Sequence, residues 1–596
     1  MKNRMNSPSG SWVWVWHKQL IFLGQLIFLG RLSLLGMQAV ICFVAASWDL
    51  DRELYGQQPA SAKPASASPA SAKLASAKPA VILVRPDQWS ESLDEWKAYR
   101  SRQYRFIEVD SVPSAQELRK RIASAASDAG SIPAALVLCG DAALEVSPNR
   151  WRALTPGMLI DTQIRLGEMT TQELCTDSLY GDFNDDGCPD LAIGRLPAKT
   201  PEELARMLRR SIEYEAIGPG PWNDMVHVTA GVGGFGFLAD AAIETVTRRF
   251  LTEGIPAHFH MNVTVASCTS TYCPNPWKLR DAYIDRINQG GLFWVYIGHG
   301  QVNELDHYSV ADQWLPIGQP VDASKFRCPT RPPIALMLAC FTGAYDARVD
   351  CFSEHLLAQP QGPIAVIGGS RVTMPYGLSQ FASELINGCF RDRVPTLGEL
   401  VFEAKRRVWI DDEESAVSMK QAEGFDVRKR YRKIVTDMAQ ALNPSDHDLT
   451  LERREHVRLM NLLGDPLLKI PYPASLDLEV PSKGTSGESV AIQGHSGIAG
   501  RLVVELAMAR DRVPENAVAL RSYRGTQEDH QQMDLNYQAS NQLVVHRLER
   551  SIESGGFEID FPIPENCAGR YVLSAYVYGD RDWSVGAEKI AIRKPQ

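Results

Sequence analysis

Short apolar runs alternate with amphipathic stretches along the first folded part of the chain, residues 81–220. The runs AVILV, YRFIEV and PAALVLC are rich in β-branched and aliphatic residues and predict buried strands. Between them, apolar residues recur every three or four positions, and Ser114 with Glu117 three residues later predicts a capped helix start. The resulting βαβαβ order predicts a parallel sheet with right-handed crossovers.

Two apolar runs in the next part of the chain, residues 221–473, end abruptly in small polar clusters. GLFWVYIGHGQ stops at His299-Gly300, and PPIALMLACFTG stops at Ala339-Cys340. In an open parallel sheet, the loops at the carboxyl ends of the strands line the ligand crevice. If these two strands are neighbours, His299 lies opposite Cys340.

A change of pattern at residue 474 marks a third folded part. Six short runs of alternating apolar and polar residues, separated by turns, predict an antiparallel β-sandwich of the immunoglobulin-like type over residues 474–596. The chain is therefore predicted to be α/β, with two subdomains of mostly parallel sheet followed by this sandwich. The segment GHSG at 494–497 lacks the closing glycine and the following helix of a nucleophile elbow, so it is not a candidate site.

The first 80 residues have the composition of a targeting segment followed by a linker. Residues 1–47 combine basic residues with the apolar run LSLLGMQAVICFVAAS, in which Ala45 and Ser47 are spaced like a signal-peptidase site. Residues 48–80 are dominated by a repeated Pro-Ala-Ser-Ala-Lys theme that cannot bury enough apolar surface to fold. We expect export to the periplasm, the cell surface or the extracellular space. An uncleaved leader would instead attach the protein to a membrane.

The net charge argues against nucleic-acid binding, and the sequence after one glycine-rich loop argues against a dinucleotide cofactor. The formal net charge of −9 argues against a protein that binds nucleic acid. GVGGFG at 231–236 matches the G-x-G-x-x-G pattern of dinucleotide-binding loops, but the next strand lacks the acidic residue that would hold a ribose. We therefore expect no cofactor for catalysis.

Cys268 and Cys273 are close enough in sequence to form a disulfide in an oxidising compartment.

Acidic residues at calcium-loop spacing occur in YGDFNDDGCPD. Asp182, Asn184, Asp186 and Asp190 fall at positions 1, 3, 5 and 9 of such a loop, and Cys188 would supply its carbonyl at position 7. The bidentate glutamate expected at position 12 is absent. The alternative interpretation is a tight turn whose carboxylates cap backbone amides. If calcium binds here, we expect a structural role.

The pair His299 and Cys340 has the chemistry of a thiol hydrolase. A thiolate attacks a carbonyl carbon, and an imidazole within reach transfers the protons. The developing oxyanion needs backbone N–H donors, for which the amides of Gly300 and Cys340 are the candidates. Either residue alone would be weak evidence, since most cysteines that end apolar strands are buried structural thiols.

The segments around these residues resemble a known peptidase family. YIGHGQ, LACFTG, CFSEHLL and GPIAVIGGS, together with LVLCGDA, DGCPDLAIGRLPAKTPEEL and NLLGDPLLKI, are similar to segments of the gingipain family of cysteine peptidases. The resemblance covers most of residues 80–473. It implies a caspase-like three-layer sandwich, with Cys340 as the nucleophile and His299 as the general acid and base.

The same resemblance suggests a substrate preference. FLADAAIETVTRRFL at 237–251 is similar to the helix that carries the specificity-pocket aspartate of arginine-specific gingipains, and Asp240 falls on that position. A buried carboxylate there would pair with a guanidinium or ammonium group. The alternative is that Asp240 only caps the helix. We therefore predict a secreted cysteine endopeptidase that cleaves proteins or peptides after Arg or Lys. A catalytically inactive surface adhesion or display protein on the same fold is the competing hypothesis.

Overall fold

The computed structural model describes residues 78–147, 150–164, 171–233, 254–410, 435–437, 439–440 and 447–595. The predicted leader, most of the predicted linker and Asp240 lie outside these residues. None of the helices in the described ranges combines the length and the hydrophobicity needed to span a lipid bilayer.

The first half of the chain follows the predicted alternation of strands and helices. Its strands are β1 (Ala80–Arg85), β2 (Arg105–Asp110), β3 (Ala135–Cys139), β4 (Leu144–Ser147), β5 (Arg150–Arg152), β6 (Met158–Asp161), β7 (Glu173–Thr176) and β8 (Ala192–Leu196). Its helices are α1 (Asp94–Arg100), α2 (Ala115–Asp128) and α3 (Pro201–Ala216). As predicted, Ser114 caps α2 by accepting a hydrogen bond from the N–H of Glu117. The antiparallel pairs β4–β5 and β6–β7 are additions that the apolar pattern does not predict.

The second half continues the alternation. Its strands are β9 (Met225–Ala230), β10 (His260–Val265), β11 (Phe293–Ile297), β12 (His307–Val310), β13 (Gln313–Pro316), β14 (Ile334–Leu338), β15 (Ala365–Gly369) and β16 (Met460–Leu463). Its helices are α4 (Leu279–Gln289), α5 (Pro320–Ala323), α6 (Phe352–Ala358), α7 (Pro375–Phe390), α8 (Leu397–Trp409) and α9 (Leu449–Leu459).

One ten-stranded sheet runs through both halves. Its order is β10-β9-β11-β14-β15-β16-β8-β3-β1-β2, and each neighbouring pair is parallel except β15 with β16. Strand β16 joins the halves, because it pairs with β15 on one side and, through Leu463 and Arg195, with β8 on the other. The predicted α/β fold with a mostly parallel sheet is confirmed.

Helices cover both faces of this sheet, which explains why its strands are apolar throughout. In β14, Ala335 and Met337 belong to one core cluster, whereas Ile334, Leu336 and Leu338 belong to the cluster on the opposite face. Successive side chains of a strand point to opposite faces, so a strand buried on both sides has no polar alternation. The architecture is a three-layer sandwich.

The C-terminal part consists of two packed sheets that are mainly antiparallel. Its strands are β17 (Ala474–Ser475), β18 (Asp477–Glu479), β19 (Lys483–Thr485), β20 (Ser489–Ser496), β21 (Gly500–Met508), β22 (Val544–Ile552), β23 (Gly555–Pro562), β24 (Gly569–Tyr578) and β25 (Trp583–Arg593). The larger sheet has the order β17-β25-β24-β21-β22, with β19 also on β25, and the smaller has the order β18-β20-β23. A helix, α10 (Gln527–Asn541), is inserted between β21 and β22.

This C-terminal part docks on the edge of the ten-stranded sheet. The side-chain amide of Asn541 pairs with the backbone of Val263 in the edge strand β10, at 2.6 Å to its N–H and 3.0 Å to its carbonyl. The guanidinium of Arg510 donates to the carbonyls of Ile255, Pro256 and Phe259. The insertion therefore satisfies backbone groups that an exposed edge strand would leave open.

Candidate active site

The strands that carry His299 and Cys340 are neighbours. Strands β11 and β14 pair in parallel with Ile297 opposite Leu338, and the N–H of Gly298 donates to the carbonyl of Leu338 at 3.3 Å. His299 and Cys340 each follow their strand by two residues, at the same edge of the sheet. The fold thus brings together two residues that are forty-one positions apart in the sequence.

Gly300 lets the two loops approach each other closely. A Cβ atom at this position would lie 2.6 Å from the carbonyl oxygen of Cys340 and 3.0 Å from the Cβ of Ala339. A contact that short does not occur with a real side chain, so any larger residue would push the loops apart. In the described part of the chain, neither the N–H of Gly300 nor that of Cys340 donates to a backbone or side-chain acceptor. Both remain available to a ligand.

Cys340 lies at the start of a sharp turn and is partly exposed. Phe341 has a φ of +57°, an uncommon left-handed conformation for a bulky residue, and its N–H donates to the carbonyl of Arg371 at 3.0 Å. The sulfur contacts Thr373, whose N–H and hydroxyl lie 3.3 Å and 3.7 Å away. Such strain persists where the surroundings fix the backbone, and it is frequent at functional sites.

The glycine-rich loop that follows β9 contacts one ring nitrogen of His299. Its Nε2 lies 3.0 Å from the carbonyl oxygen of Gly233. Because a carbonyl only accepts, Nε2 carries the proton in the neutral ring and Nδ1 carries the lone pair. Within the described residues, the ring and the Cys340 sulfur form no direct hydrogen bond. Catalytic hydrogen bonds are often loose without substrate.

An ion pair joins the segment that follows Cys340 to the segment that follows β15. The guanidinium of Arg371 binds both carboxylate oxygens of Asp346, at 2.8 Å and 2.5 Å. Bidentate pairs of this kind fix geometry as well as adding energy. Arg371 precedes Thr373 by two residues and Asp346 follows Cys340 by six, so this ion pair locks together the two segments that meet at the sulfur. The sequence offered no pattern that singled out Arg371, Asp346 or Thr373.

The sequence comparisons identify the family. A model of peptidase family C25 matches residues 74–471, which is more than half of the chain. The chain belongs to peptidase family C25, the gingipain family. It is therefore a cysteine-type peptidase, a hydrolase that acts on proteins or peptides, as the resemblance implied.

Solved structures of this C25 family also align with the chain. The crystal structure of the Arg-specific cysteine proteinase gingipain R gives a TM-score of 0.47 at 13% identity, covering 87% of this chain and 98% of that chain. The complex of Porphyromonas gingivalis RgpB pro- and mature domains gives a TM-score of 0.46 at 12% identity, covering 86% and 100%. No curated protein sequence matches the chain.

The acidic loop of this C25 peptidase forms a network of turns. One side-chain oxygen of each residue accepts a backbone N–H: Asp182 from Gly187 (3.0 Å), Asn184 from Asp186 (3.0 Å), Asp186 from Cys188 (2.7 Å) and Asp190 from Phe183 (2.9 Å). The amide nitrogen of Asn184 lies 3.2 Å from Asp186 Oδ2 and 3.5 Å from Asp190 Oδ1. Asp182 Oδ1 is buried and has no hydrogen-bond partner among the described residues.

The predicted specificity residue cannot be placed at this site, because Asp240 lies outside the described residues. The described beginning of its loop, Gly231 to Gly233, follows β9 and reaches His299. A Cβ on Gly231 would lie 3.3 Å from the Cα of Gly298, so the two loops are in close contact here. The loop that matched a dinucleotide pattern therefore contacts the His299 loop directly.

Proposed function

We propose that this C25 peptidase is a secreted cysteine endopeptidase in which Cys340 is the nucleophile and His299 the general acid and base. The observation that carries the proposal is the parallel pairing of β11 and β14, which sets the two residues at adjacent strand ends. The contact of His299 Nε2 with the Gly233 carbonyl, which leaves Nδ1 as the unprotonated nitrogen of the neutral ring, and the partial exposure of Cys340 support it.

The reaction follows from these groups. Nδ1 of His299 takes the proton of the Cys340 thiol, and the thiolate attacks the scissile carbonyl carbon. The N–H groups of Gly300 and Cys340 stabilise the oxyanion of the tetrahedral intermediate. His299 then returns the proton to the leaving amine, which leaves a thioester on Cys340. Water, deprotonated by His299, hydrolyses this acyl-enzyme and regenerates the thiol.

Cleavage of fluorogenic peptides by the full chain tests the nucleophile. Cys340→Ala should abolish hydrolysis. Cys268→Ala is the matched control, because Cys268 is also partly exposed, and it should retain hydrolysis. Equal hydrolysis by the Cys340→Ala variant would remove the dyad assignment. If the wild-type chain cleaves none of a broad panel of peptides, the adhesion or display hypothesis is favoured instead.

We further propose that Asp240 selects Arg, or Lys, on the amino side of the cleaved bond. The support is the similarity of residues 237–251 to the specificity helix of arginine-specific gingipains. An ionised carboxylate in a pocket binds a guanidinium through charge-assisted hydrogen bonds. Asp240→Asn should therefore lower kcat/KM for Arg substrates at least tenfold while a thiol probe still labels Cys340. Unchanged preference would show that Asp240 only caps its helix.

Structural calcium at the acidic loop is a separate proposal. The buried, unpartnered Oδ1 of Asp182 fits a cation ligand, but Asn184 would have to turn its amide oxygen inward. Calcium should then raise the melting temperature relative to chelator, and Asp182→Asn should remove this shift. Asp128→Asn, at an exposed helix end, serves as the control. No shift in the wild-type chain would mean that the loop is only a turn.

Export is proposed from the leader alone. Basic residues, the apolar run and the Ala45-Ser47 spacing support cleavage after about residue 47 and a location outside the cytoplasm. Mass spectrometry of the mature N-terminus, combined with cell fractionation, tests it. A retained N-terminus in the membrane fraction would indicate an anchor.

A further inference from the structure

Within the described residues, the hydrogen-bond contacts of the Cys340 sulfur all come from Thr373. Thr373 offers its N–H at 3.3 Å, its hydroxyl at 3.7 Å and its carbonyl oxygen at 3.6 Å. The two donors face the lone pairs of the sulfur, and the carbonyl can accept the S–H of the neutral thiol. Contacts that hold Thr373 in place therefore also determine the hydrogen bonds that reach the Cys340 sulfur.

Thr373 lies in the connection between β15 and α7, and the start of α7 is capped by another helix. The N-cap residue Met374 forms no side-chain cap of its own. Instead, its N–H donates to Nε2 of His456 at 2.8 Å, and the N–H of Gly377 donates to Oε1 of Glu452 at 2.8 Å. Both acceptors belong to α9. The first N–H groups of a helix have no partner within it, so capping from α9 satisfies them.

His456 has only one protonation state that fits these contacts. Its Nδ1 lies 2.7 Å from the carbonyl of Glu452 and must donate to it, so Nε2 carries the lone pair that faces Met374. The ring is 1% exposed, and burial lowers the pKa of His456 below its ordinary value. A Cβ on Gly377 would lie 2.2 Å from Nδ1, so the ring and α7 are in tight contact.

We propose that His456 is a positioning residue for the nucleophile: by accepting the Met374 N–H, it holds the preceding residue so that the Thr373 N–H points at the Cys340 sulfur. This inference rests on the proposed role of Cys340. An N–H directed at sulfur stabilises the thiolate more than the thiol, because hydrogen bonds to ionised acceptors are the stronger ones. Without the hydrogen bond from Met374 to His456, the segment that contains Thr373 can move. The Thr373 N–H then stabilises the Cys340 thiolate less.

Three variants of the full chain test the proposal. His456→Phe keeps a planar ring but removes the acceptor, whereas His456→Gln retains a carbonyl oxygen that can reach Met374. His227→Phe is the matched control, because His227 is also 1% exposed and bonded to a carbonyl, that of Gly290, but it lies within β9. The rate at which iodoacetamide alkylates Cys340, measured at fixed pH by mass spectrometry of its peptide, is the main readout.

We expect His456→Phe to slow alkylation about three- to tenfold, the loss of one hydrogen bond. It should lower kcat by a similar factor with KM nearly unchanged. His456→Gln should restore most of the rate, and His227→Phe should leave it unaltered. A wild-type alkylation rate in folded His456→Phe would overturn the proposal, as would an equal loss in His227→Phe.

Two points keep this test independent of folding defects and of the proposed peptidase mechanism. If His456→Phe does not fold, His456→Asn replaces it, since its shorter side chain cannot reach the Met374 N–H. Alkylation needs no substrate, so it reports on His456 even if the Cys340→Ala test refutes the proposed role of Cys340. If His456→Phe is alkylated more slowly but hydrolyses peptides at the wild-type rate, His456 positions the Cys340 sulfur but Cys340 is not the nucleophile of hydrolysis.

Discussion

Gly300 provides the sharpest test of the site geometry, because its replacement by Ala has a calculable effect. The new Cβ would lie 2.6 Å from the carbonyl oxygen of Cys340, whereas ordinary contacts begin at 3.4 Å. The His299 and Cys340 loops must therefore separate by about 0.8 Å, the difference between these two distances. Misplacement of a reacting group by about 1 Å can cost about 100-fold in rate, or about 2.7 kcal/mol in activation free energy.

The assay compares hydrolysis with alkylation in the same preparation. Gly300→Ala should lower kcat about 100-fold, because the N–H of Gly300, a proposed oxyanion donor, moves relative to the proposed nucleophile. Alkylation of Cys340 by iodoacetamide forms no oxyanion, so its rate should change by less than about threefold. The two rates would thus separate the oxyanion contribution from thiol reactivity.

A matched control separates this effect from crowding alone. A Cβ on Gly194 would also lie 2.6 Å from a carbonyl oxygen, that of Gly464, but in β8, three strands away from β14 in the sheet. Gly194→Ala should cost about 1–3 kcal/mol in stability and leave kcat of the folded protein unchanged. Wild-type kcat in Gly300→Ala, or an equal loss in Gly194→Ala, would refute the reasoning.

Two further predictions concern stability. Burial lowers the pKa of Lys405 from 10.5 to about 8, so the unfolded state binds more protons and stability should rise as pH increases from about 8 to 10.5. Lys405→Met should remove this rise and raise the melting temperature at pH 7; a lower melting temperature with unchanged pH dependence would contradict it. Asn541→Leu should leave the N–H and carbonyl of Val263 unpaired, costing about 1–3 kcal/mol and accelerating hydrogen exchange at that amide. Wild-type protection of the Val263 amide would show that the docking does not depend on Asn541.

Local pattern carried most of the information about the ten-stranded sheet. Its strands are buried on both faces, so each is a run of apolar residues that stands out from the amphipathic helices around it. The strands β14 and β15 and the capped start of α2 follow directly from such signals. The alternation of strands and helices then limits the topology, since parallel strands need crossover connections.

Features that depend on partners far along the chain were not predictable in the same way. Strand β16 completes the sheet by pairing antiparallel with β15, although its sequence has nothing that specifies direction. Helix α10 has few apolar residues and therefore shows no stripe; it is stabilised by Met533 and Tyr537, which are buried in the packed structure. Propensity and periodicity describe a segment by itself, and tertiary contacts override them.

For the candidate site too, the sequence predicted some features and the tertiary structure was needed for the others. The sequence by itself determined that a histidine and a cysteine each end an apolar strand, that glycine follows the histidine, and, through family resemblance, that the pair belongs to a cysteine peptidase. Only the tertiary structure decided that β11 and β14 are neighbours, that Thr373 contacts the sulfur, and that His456 caps the helix that follows Thr373. The physical reason is that chemical identity is local, whereas distances between groups are set by the packing of the whole sheet and its helices.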